Sequence, residues 1–222
     1  MDVVKENFNL KQAKSAWLSA ADDFKMVAAL AEIGAAQGSI DSYMKEGDYG
    51  AFAEAYDIPA DSSNFQSCVP LLYCLVNGIE LFIKASEYAA YPDRAPNRPQ
   101  KLPELIEAFK SAPYPKNEAV LALVEKYTGD QAPELMQRFL ENSGKSMADL
   151  LVMRRHIGTG NFFSALEAFE PLVYTEEEGR LFFSALHDEL SAVIACTDEL
   201  FFDIDEDGNP GALVEALHVP EA

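Results

Sequence analysis

The stretch Leu72-Tyr73-Cys74-Leu75-Val76-Asn77-Gly78-Ile79-Glu80-Leu81-Phe82-Ile83-Lys84-Ala85 decides the fold. Leu72, Leu75, Val76, Ile79, Phe82 and Ile83 recur at three- and four-residue steps. That spacing lays a wide apolar stripe along one face of a helix, and such a stripe has to be buried against other elements. The helix is expected from Phe65 to Tyr88. Pro70 falls where a missing amide costs least, or else it kinks the helix.

Working outward, the same period governs the rest of the chain. Ala13 to Ile33 predicts an alanine-rich helix with Trp17, Phe24, Val27 and Leu30 on helical spacing, closed by Gly34 and Gly38. Between the two, Ser39 to Asp61 is broken by Gly47, Gly50 and Pro59 and predicts short helices around Tyr43 and Phe52. After Tyr88, the proline-rich run Tyr91 to Pro99 stops the helix. Shorter helices follow at Pro103 to Ala112, Asn117 to Thr128, Pro133 to Asn142 and Ser146 to His156. Gly158-Thr159-Gly160-Asn161 is a turn, since it lacks the lysine and length of a phosphate-binding loop. Phe162 to Phe169 is expected to add a short helical turn.

The last long helix opens on Thr175-Glu176-Glu177-Glu178. There Thr175 caps the first turn, Glu178 reaches back, and the acids suit the helix N-terminus. Phe183, Leu186, Leu190, Val193, Ile194 and Phe201 mark its buried face as far as Phe202. No sustained two-residue alternation announces a strand, although Phe201 to Leu217 allows a small hairpin around Asp207-Gly208. The expectation is an all-α, up-and-down helical bundle over residues 1–202 with extra short helices. Residues 203–222 form an irregular C-terminal tail or small hairpin.

Composition restricts the function classes. The 222 residues are 49% hydrophobic and 24% charged, enough for one sizeable core. No apolar run is long enough to cross a bilayer, and the start has no signal-peptide pattern, so the reading is cytoplasmic with no membrane partner. Cys68, Cys74 and Cys196 are an odd number in no metal-like spacing and read as small core residues. Seventeen Lys and Arg against 37 Asp and Glu give a net charge of −20. A chain this acidic repels a polyanion at long range, so RNA or DNA would need a local basic patch. The plainer reading of the charge is solubility.

The run Asn77 to Ala85, followed by a polar loop and then Lys101-Leu102-Pro103-Glu104-Leu105-Ile106, resembles HEPN-domain proteins. Their second helix carries a pattern like A-x-E-L-x-x-K-A, matched here from Ile79 to Ala85. The resemblance implies a dimerising helical bundle. Many members are metal-independent endoribonucleases, often in toxin–antitoxin or phage-defence systems, and others are inactive interaction modules. Active members carry an arginine, then a histidine four to six residues on. In that chemistry histidine moves the 2′-hydroxyl proton and arginine stabilises the developing phosphorane charge.

Arg180 and His187 are separated by six residues and return to nearly one helix face. Leu181 replaces the usual polar residue, and Glu176, Glu177, Glu178, Asp188 and Glu189 surround the pair with charge that repels phosphate. Arg154 and Arg155 have only the adjacent His156. Lys101-Leu102 stands where the family often has a His-Asp-like start. Glu80 and Lys84 sometimes line the cleft in the family, but their spacing is also that of an ordinary helix ion pair.

Asp203-Ile204-Asp205-Glu206-Asp207-Gly208 imitates the start of a calcium loop, with Asp203, Asp205 and Asp207 at the ligand positions. The twelfth position is Val214 instead of a carboxylate, and Pro210 stands at the eighth. A polar turn is the alternative, and no metal or cofactor is expected. The leading expectation is therefore a non-catalytic, homodimeric interaction module with a possible protein partner. Two alternatives stay open. One is a metal-independent endoribonuclease using Arg180 and His187, with RNA as partner only in that case. The other is a small-ligand-binding regulatory protein.

Overall fold

The computed structural model describes residues 2–37, 64–93, 102–128, 133, 134, 137 and 176–219. Among them every long element is helical, as the periodicity implies. The helices are α1 (Asp2–Gln37), α2 (Asn64–Ala90), α3 (Leu102–Ser111), α4 (Glu118–Thr128), α5 (Glu176–Phe202) and the one-turn α6 (Ala212–Glu215). The short helices expected around Tyr43 and Phe52, those over 146–156 and 162–169, and nearly all of 133–142 lie outside the described residues.

Helix α1 is the axis of the fold. Leu10, Ala13, Trp17, Ala20, Phe24, Val27 and Ala31 are all buried. They step alternately by three and four residues, the seam of a coiled coil. Alanine alternates with bulkier side chains along it, which lets neighbouring helices approach closely at intervals. The helix starts eleven residues before the expected Ala13 and runs through Gly34. Nothing before Ala13 breaks a helix, and Asn9 and Leu10 carry the buried stripe a turn further back. One glycine costs a helix only about 1 kcal/mol.

Helices α2 and α5 pack along α1 on its two flanks, and both run antiparallel to it. On one side Asn9 of α1 donates from Nδ2 to the Pro92 carbonyl, while Asn77 of α2 donates to Asp23. On the other, Lys25 pairs with Asp198 at 3.0 Å and Lys14 donates to the Ile204 carbonyl. The expected faces are buried: Leu75, Val76, Ile79, Phe82 and Ile83 on α2, and Phe183, Leu186, Leu190 and Val193 on α5. Ile194 and Phe201, expected on the same face, sit half-buried at its edge. Gly78 marks a close approach of α2 to α1, since a Cβ there would lie 2.7 Å from the Phe24 ring.

The short helices close the bundle. Helix α3 packs on α2 and α4 on α5. Pro113 and Pro115 separate them, and Asn117 caps α4 by accepting from the Ala119 and Val120 amides at 3.0 and 3.3 Å. Lys116 closes the end of α3 by donating to the Ala112 and Tyr114 carbonyls.

Beyond α5, residues 203–219 fold back onto the helices. Ile204 and Val214 are fully buried, and the Val219 amide bonds to the Ala90 carbonyl at 2.9 Å. The hairpin expected around Asp207-Gly208 is reduced to one antiparallel bridge, Ile204 to Pro210, with Gly208 at φ 91° supplying the left-handed turn.

Candidate functional site

Arg180 and His187 both lie on α5, as their spacing implies. Arg180 is exposed and makes no ion pair among the described residues; Leu181 beside it is 55% exposed. His187 is half-buried, with Nδ1 3.6 Å from Asp188 Oδ1, beyond hydrogen-bond length. Nothing described joins the arginine to the histidine.

Glu80 and Lys84 pair with each other across one turn of α2. They do not join the α5 residues. The contacts of Asn77 with Asp23 and of Lys25 with Asp198 fix the level of each helix along α1. Lys84 is level with about residue 16, whereas His187 is level with the end of α1. The two groups are therefore separated by on the order of 30 Å along the helix axis. Arg154 and Arg155 lie outside the described residues.

A cluster without any sign in the local sequence forms between α4 and α5, reaching α5 two residues beyond His187. Lys126 of α4 pairs with Glu189 of α5, and its ammonium lies 5.2 Å from the centre of the Tyr127 ring. Tyr127 is 1% exposed, and neither its hydroxyl nor Glu189 Oε2 has a hydrogen bond of regular geometry. Burial first, and the Glu189 charge second, push this phenol far above its ordinary range. Lys126 and Glu189 are 63 residues apart, so spacing along the chain does not reveal the pairing. The cluster fixes α4 on α5, with the Tyr127 hydroxyl and the Glu189 carboxylate facing each other inside it.

The acidic loop uses its carboxylates on its own backbone. Asp203 Oδ2 accepts from the Val214 amide at 2.8 Å and so caps α6 from a distance. Asp205 accepts from the Asn209 amide at 2.8 Å and from the Asn209 side chain at 2.7 Å, which lowers its pKa. Gly211 is required beneath this clamp, because a Cβ there would lie 2.2 Å from Asp203 Oδ1. The twelfth position of the calcium-like pattern, Val214, contributes an amide donor instead of a carboxylate. Among the described residues no group of three or more His, Cys, Asp and Glu side chains is placed to hold a metal ion.

One concave feature among the described residues is a cleft of about 260 Å3 where α2, α3, α5 and α6 meet. Phe82, Phe109, Tyr114, Leu200, Leu213 and Leu217 form its apolar walls. Cys196 opens onto it. Burial, then the charge of Glu199, pushes this thiol up to about 11. Cys74, on the α1–α2 seam, is also raised to about 11, by burial and then by Asp23. Both are free thiols. From the ordinary value of 9.0, such a shift leaves about a hundredfold less thiolate at pH 8. Alkylation by iodoacetamide at pH 8 is therefore expected to be about a hundredfold slower at Cys74 and Cys196 than at a free thiol. Because the pKa is raised, the rate should keep rising tenfold per pH unit through pH 9 without a plateau. Mass-resolved labelling rates check this, and a plateau near pH 9 would contradict it.

Compared with known proteins, the chain matches no family model, and no curated protein or solved structure is significantly similar to it. Among the described residues no helix is long and apolar enough to cross a membrane.

Proposed function

We propose that the chain is a HEPN-like helical interaction module that acts without catalysis and pairs with a second copy of itself through the outer face of α1. The observation that carries this reading is a second stripe on α1, opposite the core. Phe8, Leu18 and Met26 are 60%, 41% and 54% exposed. Together with the exposed Lys11, Ser15, Asp22 and Ala29 they repeat the three-and-four-residue step of the buried seam. The stripe is self-complementary. A two-fold axis near the level of Trp17, with the helices antiparallel, sets Phe8 against Met26 and Lys11 beside Asp22 of the other copy. Ser15 and Ala29 are small enough for close approach.

Charge is compatible with pairing here. Of the described lysines, Lys14 and Lys116 are engaged with backbone carbonyls, and Lys25, Lys84 and Lys126 with carboxylates. The outer face of α1 carries both signs, so two copies of a −20 chain repel less there than across a uniformly acidic face.

Light scattering at micromolar concentration tests the pairing. The wild type is expected at twice 24.4 kDa. Leu18→Asp, which sets two like charges near the axis, is expected at the monomer mass with unchanged helical circular dichroism. A monomeric wild type overturns the reading. The absence of catalysis is tested separately, by incubating a structured RNA pool with the protein in chelator. Cleavage by the wild type that is lost in His187→Ala would replace the non-catalytic reading with the nuclease one.

A further inference from the structure

The cleft between α2, α3, α5 and α6 has a chemistry of its own, independent of any pairing through α1. Its walls are aromatic and branched aliphatic, and its volume is about 260 Å3. An apolar cavity of about 150 Å3 already holds benzene, so this one admits a ring with a short chain.

Several of the polar groups around it are engaged by the protein. Ser86 donates to the Phe82 carbonyl at 2.9 Å, and Asn117 caps α4. Lys116 donates to two carbonyls and lies 5.0 Å and 5.9 Å from the centres of the Tyr114 and Phe109 rings, so its charge is already met by dipoles and π faces. Among its charged groups Glu199 is the one not engaged in this way. It lines the cleft, is exposed, and its carboxylate makes no hydrogen bond or ion pair among the described residues. It also stands in the last turn of α5, where the helix end is itself negative. The net charge of −20 adds a field that draws cations and repels anions.

We propose that this cleft binds a small amine with an apolar, ring-bearing body. The ring lies among Phe82, Phe109 and Tyr114, and the ammonium faces Glu199. Binding of this kind needs no rearrangement of the polar groups, because the ligand's ammonium meets the one lining charge that has no partner among the described residues.

Three probes with one body and different heads test the assignment by calorimetric titration: 3-phenylpropylamine, 3-phenylpropan-1-ol and 3-phenylpropionate. The amine is expected to bind saturably, the alcohol more weakly and the carboxylate weakest. Glu199→Gln should weaken the amine by about fivefold, the upper range for an exposed ion pair, and leave the alcohol unchanged. Ala216→Trp, which fills the cleft from α6, should abolish binding of all three. A readout on the wild-type protein alone guards against misfolding of that variant: the amine should slow alkylation of Cys196, which lines the cleft, and leave Cys74 unaffected. No saturable binding of any probe, tighter binding of the carboxylate than the amine, an unchanged amine affinity in Glu199→Gln, or equal protection of both cysteines would each overturn the proposal.

Discussion

Gly78→Val is expected to lower the unfolding free energy by about 3 kcal/mol. The site is a close approach of α2 to α1. Even a bare Cβ would meet Phe24 Cε1 at 2.7 Å, with two more ring carbons at 3.0 and 3.1 Å. Phe24 is fully buried, so its ring has no solvent to swing into. Alanine at 78 gains about 1 kcal/mol of helix propensity against an overpacking cost of about 1–3 kcal/mol. Valine adds two more carbons, gains less propensity, and carries the full clash. Phe24→Leu in the same chain should recover part of the loss, because the smaller side chain vacates the space that the valine enters. A double-mutant cycle in urea, followed by far-UV circular dichroism, measures that coupling. Equal unfolding midpoints for wild type and Gly78→Val would mean that the two helices do not cross at Gly78.

What the sequence discloses and what it conceals divide along the range of the interactions. The stripe Leu75, Val76, Ile79, Phe82 and Ile83 is local and periodic, so the helix and its buried face are both legible in the amino-acid order alone. Helix α5 is legible in the same way, because the apolar spacing from Phe183 through Val193 is a local signal. The early start of α1 is not. Residues 2–12 are mostly polar, and only the burial of Asn9 and Leu10 against distant partners shows that they continue the seam.

The candidate sites are less legible still, since each depends on contacts far apart in sequence. Spacing puts Arg180 and His187 on one helix, where they are found, but it cannot tell what faces them. Lys126 meets Glu189 across 63 residues, and Lys14 meets the Ile204 carbonyl across 190. The cleft draws its walls from residues between 82 and 217. The acidic loop shows the reverse case. Its Asp203-x-Asp205-x-Asp207 rhythm is visible in sequence, while the use of two of those carboxylates is fixed by the Val214 amide and by Asn209.

Trp17 gives the sharpest test of the core, because the size of its side chain and its single polar atom act in opposite directions. It is the only tryptophan of the chain and is fully buried on the α1 seam, and its Nε1 donor has no hydrogen-bond partner among the described residues. Trp17→Ala removes the whole indole and should cost about 3–5 kcal/mol. Trp17→Phe keeps most of the ring and deletes the unsatisfied donor. Leaving such a donor buried costs about 1–3 kcal/mol, which offsets most of the packing lost with the smaller ring, so the phenylalanine variant should stay within about 1 kcal/mol of wild type. The comparison uses circular dichroism in denaturant, since both variants lose the fluorophore. A Trp17→Phe variant as weak as Trp17→Ala would mean that Nε1 holds a partner in the folded protein. In that case the centre of the α1 seam is a polar site, and the dry packing inferred from Ala13, Ala20 and Phe24 around it does not hold.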